Sequence, residues 1–589
     1  MAPSASGLTR RETLGAIATG GIVSVAGCSG LFGNSNPDFT PLELTVTAPP
    51  SDEDPAAAEI GRRLTEHLDE IGVNAAFSPR IQPQFTSDIH FEGNFDIFIS
   101  RSPRITGPES LQPLIHSDYA EASGDWLNPF QFEDPIIDAR LDRLRTTTGE
   151  SRQLELDAIQ ETLAIEHLPF AVIAAHEELT AVSESLTETN RPSGVDSSSD
   201  VLSLGLLAPD ESPDHLRIGL LDGGITQNLN PLNESIVAHA VTIGLLYDPL
   251  LRKIGELVYP WAAQEVAWEL GAQPPVAEIV LRADLTWHDG EPVVAEDVLF
   301  TYTFLADLAG GADTRARPAA LYAPATSLID TVEITDEDRI RFTFTGQSRP
   351  VVEQALRVPL LPQHIWSTMT GLTEDGHPQA LFTDNLDPIG SGPYILDEIQ
   401  PGERVDLSRH DEHVSFSPDT EAMPIPPHER ISFIVPTHPP TVGAATNLVS
   451  NNELDIIAKV PHDGLEAVFT SEGVTLETRP SQRRYIVGFN TASEPCDDAA
   501  LRRVIARFID RTYTVASVFR GFGSPADSLF INTPYAAASL EWTGSSVLGR
   551  FPGAGGFIDV DIARELLVQA GYPYDSDADT VVNPRIESE

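Results

Sequence analysis

From Pro41 onward the chain alternates two hydrophobic periods. Leu42, Leu44 and Val46 fall on one side of LELTVTA (42–48), the spacing of two that a half-buried strand requires. Between Ala56 and Ile71 the period lengthens. Ile60, Leu64, Leu68 and Ile71 line one helical face, and Gly72 stands where a helix C-cap is wanted. VNAAF (73–77) reads as a second strand, so the three elements predict a right-handed crossover and a parallel pair. FDIFIS (95–100) reads as a short buried strand, LELDAIQETLAIEHLP (154–169) as a helix that Pro169 ends, and FAVIAA (170–175) as the strand after it. Residues 190–213, rich in Ser, Pro and Asp with one apolar interruption, predict a linker. HLRIGLL (215–221) then opens a new strand, and Leu501, Val504, Ile505, Phe508 and Ile509 make a helical core stripe far downstream.

Charge changes the picture more than composition does. The 589 residues hold 88 acidic against 37 basic side chains, a formal net of -51, and only Lys253 and Lys459 are lysines. Such a surface repels nucleic acid. The excess is spread along the whole chain, which favours adaptation to strong brine over a dedicated acidic face and resembles the proteins of haloarchaea. At about 1 M salt the Debye length falls to roughly 3 Å and self-repulsion is screened. Two cysteines, Cys28 and Cys496, build neither a disulfide scaffold nor a Cys-rich metal site.

The first forty residues predict an address and an anchor. Arg10 and Arg11 precede a mild apolar run, Leu14 to Gly27, too short to span a membrane, which reads as a twin-arginine signal. The run ends VAGC, similar to a lipobox, so 1–28 is expected to be a signal with its lipobox and Cys28 the lipidated N-terminus after processing. Residues 29–40 are then a tether, and the body is anchored to the outer face of the cytoplasmic membrane without crossing it.

Five segments carry a family resemblance. They are HLRIGLLDGGITQNLNPLNES with LRADLTWHDGEPVVAEDVLFTY, DPIGSGPYILDEIQPGERVDLSRHDEH, NNELDII, YIVGFNTASEPCDDAALRRVIARFIDR, and DIARELLVQAGY. In this order they resemble the large extracellular solute-binding proteins of the peptide/nickel ABC-importer family. The resemblance implies an α/β, two-lobed periplasmic-binding-protein-like fold of the large class II type. The family normally continues past the AGY helix with a hairpin, a strand, a helix and FD-type and final helical segments. Here similar pieces stand in front, as PLELTVTA to IGV, FDIFIS and AIEHLPFAVIAA. The chain is therefore expected to be circularly permuted, with 41–168 the displaced part of lobe two, 169–190 a return segment, 191–213 the join, 214–484 lobe one and 485–589 the first part of lobe two.

The resemblance implies a lipid-anchored receptor, a monomer, that closes on a small solute, peptide or other, and hands it to ABC permease and ATPase subunits, with no cofactor, metal or catalytic group. Peptide-binding members carry an acidic W-x-x-D-Y-x-D-P stretch whose first Asp pairs with the peptide ammonium. Here the equivalent reads SRSPRITGPES, with Arg101 and Arg104. Guanidinium groups suggest a ligand with an anionic group, the alternative being that both pair with neighbouring acids. Tyr247, Tyr485 and Asn490 are further cleft candidates. His288 beside Asp289 reads as part of a turn before an acidic helix start (Glu296, Asp297) and not as an acid/base pair. HDEH (410–413) reads as an exposed charged loop and not as a metal site. Two other functions compete: a binding lipoprotein for sensing without transport, and an exported hydrolase, for which no P-loop, HExxH, GxSxG or CxxC motif is present.

Overall fold

The computed structural model describes residues 40–584 except 106, 121–126, 187–191, 193–194, 196–197, 205–212, 233–238, 255–256, 270, 273, 312–317, 320, 346–348, 375 and 417–426. The signal with its lipobox Cys28, the tether to residue 39 and much of the expected linker lie outside the described residues.

The first three elements follow the hydrophobic pattern. Strand β1 (Glu43–Ala48), helix α1 (Pro55–Glu70) and strand β2 (Asn74–Pro79) form the expected unit, with β1 and β2 parallel from Glu43↔Asn74 to Ala48↔Pro79. Asp54 caps α1 by accepting from Ala57 N–H at 3.0 Å, and Pro55 at the first helical position gives up no bond. Gly72, at φ 94°, turns the chain from α1 into β2, where a Cβ would press on the Asp579 carbonyl at 3.2 Å. Residues 574–582 are thus packed on the start of the chain. Leu42 N–H donates to Val581 O at 2.8 Å, Asn583 N–H to Thr40 O at 2.9 Å, and Arg564 Nε to Ile71 O at 3.0 Å.

One mixed sheet of twelve strands runs through the molecule. Its path goes from the antiparallel strands Tyr394–Gln400, Arg404–Arg409 and Arg430–Ile434 to β5 (His215–Gly219) and Ile456–Ile457. It continues through β4 (Phe170–Ser183), Tyr485–Phe489 and β3 (Ile97–Arg101) to β1 and β2. Two large apolar cores and their satellites divide this sheet into two lobes. In lobe one the sheet faces a four-stranded antiparallel sheet, built from Ala263–Glu269, Val276–Leu281, Ile329–Asp336 and Arg339–Phe344, across a core that holds Trp261, Trp287, Trp366, Phe342 and Phe344. In lobe two one face packs on α1 and the helices Ala499–Arg507 and Val560–Gln569, and the expected stripe Leu501, Val504, Ile505, Phe508 and Ile509 is buried there. The other face carries Phe85, Phe98, Phe130 and the helices Pro135–Thr146 and Gly149–Glu161.

Strand β4 is fourteen residues long, twice the run its apolar start suggests, because it serves both lobes. Its first part pairs with Tyr485–Gly488 in lobe two and its last part, Glu177 to Ser183, with Val474–Pro480 in lobe one. Burial is continuous along it except at Glu177 and Glu178, so the change of partner falls there.

Two expectations are corrected. The apolar interruption of the supposed linker folds as a short helix, Ser198–Ser203, whose Val201 and Leu202 are buried in lobe one. Removing these side chains from water outweighs leaving that stretch free. The HDEH loop exposes only Asp411 and Glu412. His410 and His413 are buried, at 9% and 3% exposure. His413 Nε2 faces Asp248 Oδ2 at 2.9 Å, and Ser415 N–H donates to its Nδ1, which puts the imidazole proton on Nε2. Asp248 also accepts from Trp261 Nε1 at 2.6 Å and Arg252 Nη2 at 3.0 Å. Burial alone would push the Asp248 carboxyl up, but His413, Arg252 and Trp261 hold it below the usual range. The Asp289–Gly290 turn forms with Gly290 at φ 89°, and Asp289 Oδ2 faces His364 and not His288.

Candidate functional site

The two lobes are joined where β4 and the segment 480–485 cross from one to the other, and the charged and aromatic side chains of the crossing cluster around one carboxylate. Asp54, buried at the N-terminus of α1, receives Arg101 Nε at 2.9 Å on Oδ2 and Tyr485 OH at 2.9 Å on Oδ1. Arg101 is the last residue of β3 and sits directly across from Tyr485, the first of its strand, so sheet register brings them together. Burial opposes the Arg101 charge, but Asp54, with Tyr485 and Glu178 beyond it, raises its affinity for the proton above the ordinary arginine value. Burial, then the Asp54 carboxylate, pushes the Tyr485 phenol well up.

Aromatic rings complete the crossing. His176 of β4 and Phe519 each lie 4.9 Å from the Tyr485 ring, and His462 of lobe one lies 5.2 Å from Phe519. Burial holds His462 down to about 4 against the pull of the Phe522 carbonyl, so it is neutral at neutral pH. Glu178 accepts from Ser481 Oγ at 2.7 Å, and Arg484, buried, donates Nη2 to Ile531 O at 2.9 Å. Ser102 N–H donates to Arg484 O at 2.7 Å and Ile105 N–H to Gln482 O at 3.0 Å, which ties the crossing to the end of β3. The crossing has paired strands and a polar centre.

Of the residues singled out from sequence, the fold brings Arg101 and Tyr485 into contact with a shared acid. Arg104 follows on the loop after β3, half-buried, with no ion pair among the described residues. Asn490 is buried in the turn after its strand, where Nδ2 donates to Gly93 O at 2.9 Å and Phe95 O at 3.1 Å. Tyr247 lies in the lobe one core at 1% exposure, its hydroxyl accepting from Asn385 Nδ2 at 3.3 Å. Asp54, His176, His462, Phe519 and Glu178 went unread. The only sequence signal was HisGluGlu interrupting the apolar run of β4.

The lobes meet again away from this crossing. Arg145, in the last turn of helix Pro135–Thr146, donates to the Ser327 carbonyl and to Thr345 Oγ1 in lobe one. Leu127 and Ala323 pack together across the same gap. Among the described residues no group of His, Cys, Asp and Glu is arranged to hold a metal, and no helix is long and apolar enough to cross a membrane.

Comparison with known proteins bears on this architecture. The probable peptide-binding protein YejA of Agrobacterium fabrum is 30% identical over 199 residues, 33% of this chain and 30% of its own length. A putative ABC transporter peptide-binding protein of Brucella ovis is 21% identical over 319 residues, 52% of this chain and 54% of its own. The chain thus spans between 30% and 54% of these relatives' lengths. Among solved structures, the oligopeptide-binding protein AppA of Bacillus subtilis, in complex with a nonapeptide, has a TM-score of 0.44 at 16% identity, covering 63% of this chain and 67% of that one. NikZ of Campylobacter jejuni, in complex with Ni(L-His), has a TM-score of 0.42 at 18% identity, covering 62% and 64%. The profile of the bacterial extracellular solute-binding proteins, family 5, matches residues 258–587, more than half of the 589. The chain belongs to that family.

Proposed function

We propose that this protein is an extracellular receptor that captures a small solute between its lobes and delivers it to an ABC importer, held at the membrane by lipid on Cys28 after twin-arginine export. Family membership over 258–587 carries the reading, because that segment contains most of lobe one and the strand and helices that start lobe two. The hinge supports it mechanically. Only β4 and the segment 480–485 need to flex for the lobes to close, and a ligand that touches both lobes stabilises the closed state by its differential affinity.

The same reading takes the chain as circularly permuted within its family. The β1–α1–β2 unit precedes the family-matching segment in sequence, yet it packs on the end of that segment through Leu42 N–H to Val581 O. The ion pair with Asp54 favours a structural role for Arg101, and Arg104 remains the candidate for an anionic ligand. Mass spectrometry of small molecules released by denaturing protein purified from its native host in multimolar salt tests the receptor reading. A defined set of solutes, absent from protein of an unrelated fold purified alongside, is the expected result. An identical profile from both would sink it.

A further inference from the structure

Arg145 stands apart from its neighbours. On the same pair of helices Arg140 and Arg143 face Glu155, and Arg152 faces Glu109, all within lobe two. Arg145 makes no ion pair with any described residue, in a chain whose acidic side chains outnumber the basic ones 88 to 37. Its guanidinium instead reaches across the seam to lobe one, where Nη2 donates to the Ser327 carbonyl and, at 2.6 Å, to Thr345 Oγ1. Lobe one holds this pair of acceptors ready-made. Thr345 N–H donates to Leu328 O at 2.9 Å, and Thr345 Oγ1 donates its own proton to Ser327 O at 3.1 Å. The hydroxyl proton is thereby used inside lobe one, and the oxygen's lone pairs are left for a donor from lobe two.

An apolar contact lies beside the polar one. Leu127 of lobe two, 6% exposed, packs on Ala323 of lobe one, 1% exposed, with Tyr119 and Leu381 against them. Leu141 and Leu144 face Leu328 across a gap with room for about one water. These contacts can part without stranding a buried group. Arg145, Ser327 and Thr345 are each half-buried, and on separation Ser327 O keeps its Thr345 donor while the guanidinium returns to water. A charge pair sealed in a core would leave one partner bare, whereas this arrangement leaves none. We propose that the seam is a latch, with Arg145 as its bolt, that holds the lobes shut whether or not a solute lies between them. The inference rests on the receptor reading and deepens it. Solute enters and leaves through an unlatched minority, so the latch sets the rate of exchange.

Thiol trapping tests it on the full exported chain, dialysed exhaustively in multimolar KCl. Ala323→Cys puts a thiol in the apolar contact, where N-ethylmaleimide reaches it only when the lobes part. Cys496, buried in the lobe two core, reports unfolding in the same molecule. Mass spectrometry quantifies the two modified peptides separately. Arg145→Met keeps the stem and removes the donors. It should speed labelling at position 323 by about tenfold or more, the usual effect of losing a hydrogen bond from a charged group, and leave Cys496 unchanged. Thr345→Val removes the acceptor from the other lobe and should act alike, and in the double variant the two effects should not add. Arg145→Lys keeps a charged donor and should fall between parent and Arg145→Met. Equal labelling at position 323 in the parent and both single variants overturns the latch, as does a parent that labels there as fast as the unfolded chain. A rise at both thiols together also overturns it, because it reports unfolding and not opening. The two readings fail separately. If the native protein releases a defined set of solutes and Arg145→Met labels like the parent, the latch falls and the receptor stands.

Discussion

Asp248→Asn is the sharpest test of what holds lobe one together. The carboxylate has 0% exposure and takes three donors, from Arg252, Trp261 and His413. The amide is nearly the same size, so the change leaves no cavity. It strands the Arg252 guanidinium, 4% exposed and already held below the ordinary arginine value by burial, without a counter-charge. It also turns an amide N–H towards groups that can only donate. Breaking one side of a buried ion pair costs about 3–5 kcal/mol. At roughly 2–4 °C per kcal/mol for a unit of this size, the lobe one transition should fall by about 6–20 °C in calorimetry. Salt sharpens the assay. Surface repulsion responds to KCl, whereas a pair sealed from solvent is screened far less, so the deficit should stay nearly constant between 2 and 4 M KCl, about the range that leaves surface charges fully screened. Asp248→Asn with Arg252→Met removes the stranded charge and should recover part of the loss. A deficit below about 1 kcal/mol in the single variant, or none recovered in the double, would refute the assignment of Asp248 as the charge centre of the lobe.

Three further outcomes follow from the same geometry. Dialysis to dilute buffer should unfold the protein, because a net charge of -51 loses its screening, and an unchanged melting temperature there would contradict brine adaptation. Acid should destabilise it through His288 and His462, both held down to about 4 by burial, against an ordinary imidazole value of 6.5. Below 6.5 the unfolded chain takes up protons that the folded one refuses, so stability present above 6.5 is lost as pH falls towards 4. The loss is about 2 kcal/mol per group at pH 5, and His288→Gln should remove about half of that slope in melts from pH 7.5 to 5. Finally, a chain rearranged to run from residue 192 to 584, which keeps the buried helix Ser198–Ser203, and then through a short linker to 40–186 should fold and melt within a few degrees of the parent. Failure to fold in strong salt would count against permutation.

The sequence and the fold agree where a local period decides the outcome. Leu42, Leu44 and Val46, or Leu501 to Ile509, announce a buried face by spacing alone, and the parallel pairing of β1 and β2 follows from the handedness of the crossover. Two things were out of reach. The length of β4 was hidden because a strand buried on both faces in two different lobes shows no alternation, and its one polar pair, Glu177–Glu178, reads as a strand end and not as a crossing. His410 and His413 were misread because a charged tetrapeptide says nothing of a partner 165 positions upstream, the distance in sequence from His413 to Asp248. The site fared likewise. Arg101 was found as an oddity of its motif, but Asp54, which holds it, belongs to a helix cap and carries no motif at all.

That division explains why rearranging the order of elements would leave the mechanism intact. On the receptor reading closure depends on β4 and the segment 480–485, both continuous in this chain, the segment tied to the end of β3 and β4 to the strand Tyr485–Phe489. The contact between Leu42 and Val581 lies at the far side of the lobe two sheet, at the β1–β2 edge, where a join or a break touches neither crossing strand. A break inside β4 would be different in kind. It would separate Phe170–Ala174 from Glu177–Ser183, the two halves of the strand that, among the described residues, pairs with neighbours in both lobes. On the permuted reading, selection has room to move chain ends around the rim of lobe two and none to move them through the hinge. The rearranged chain should therefore keep both its solute and its affinity for it.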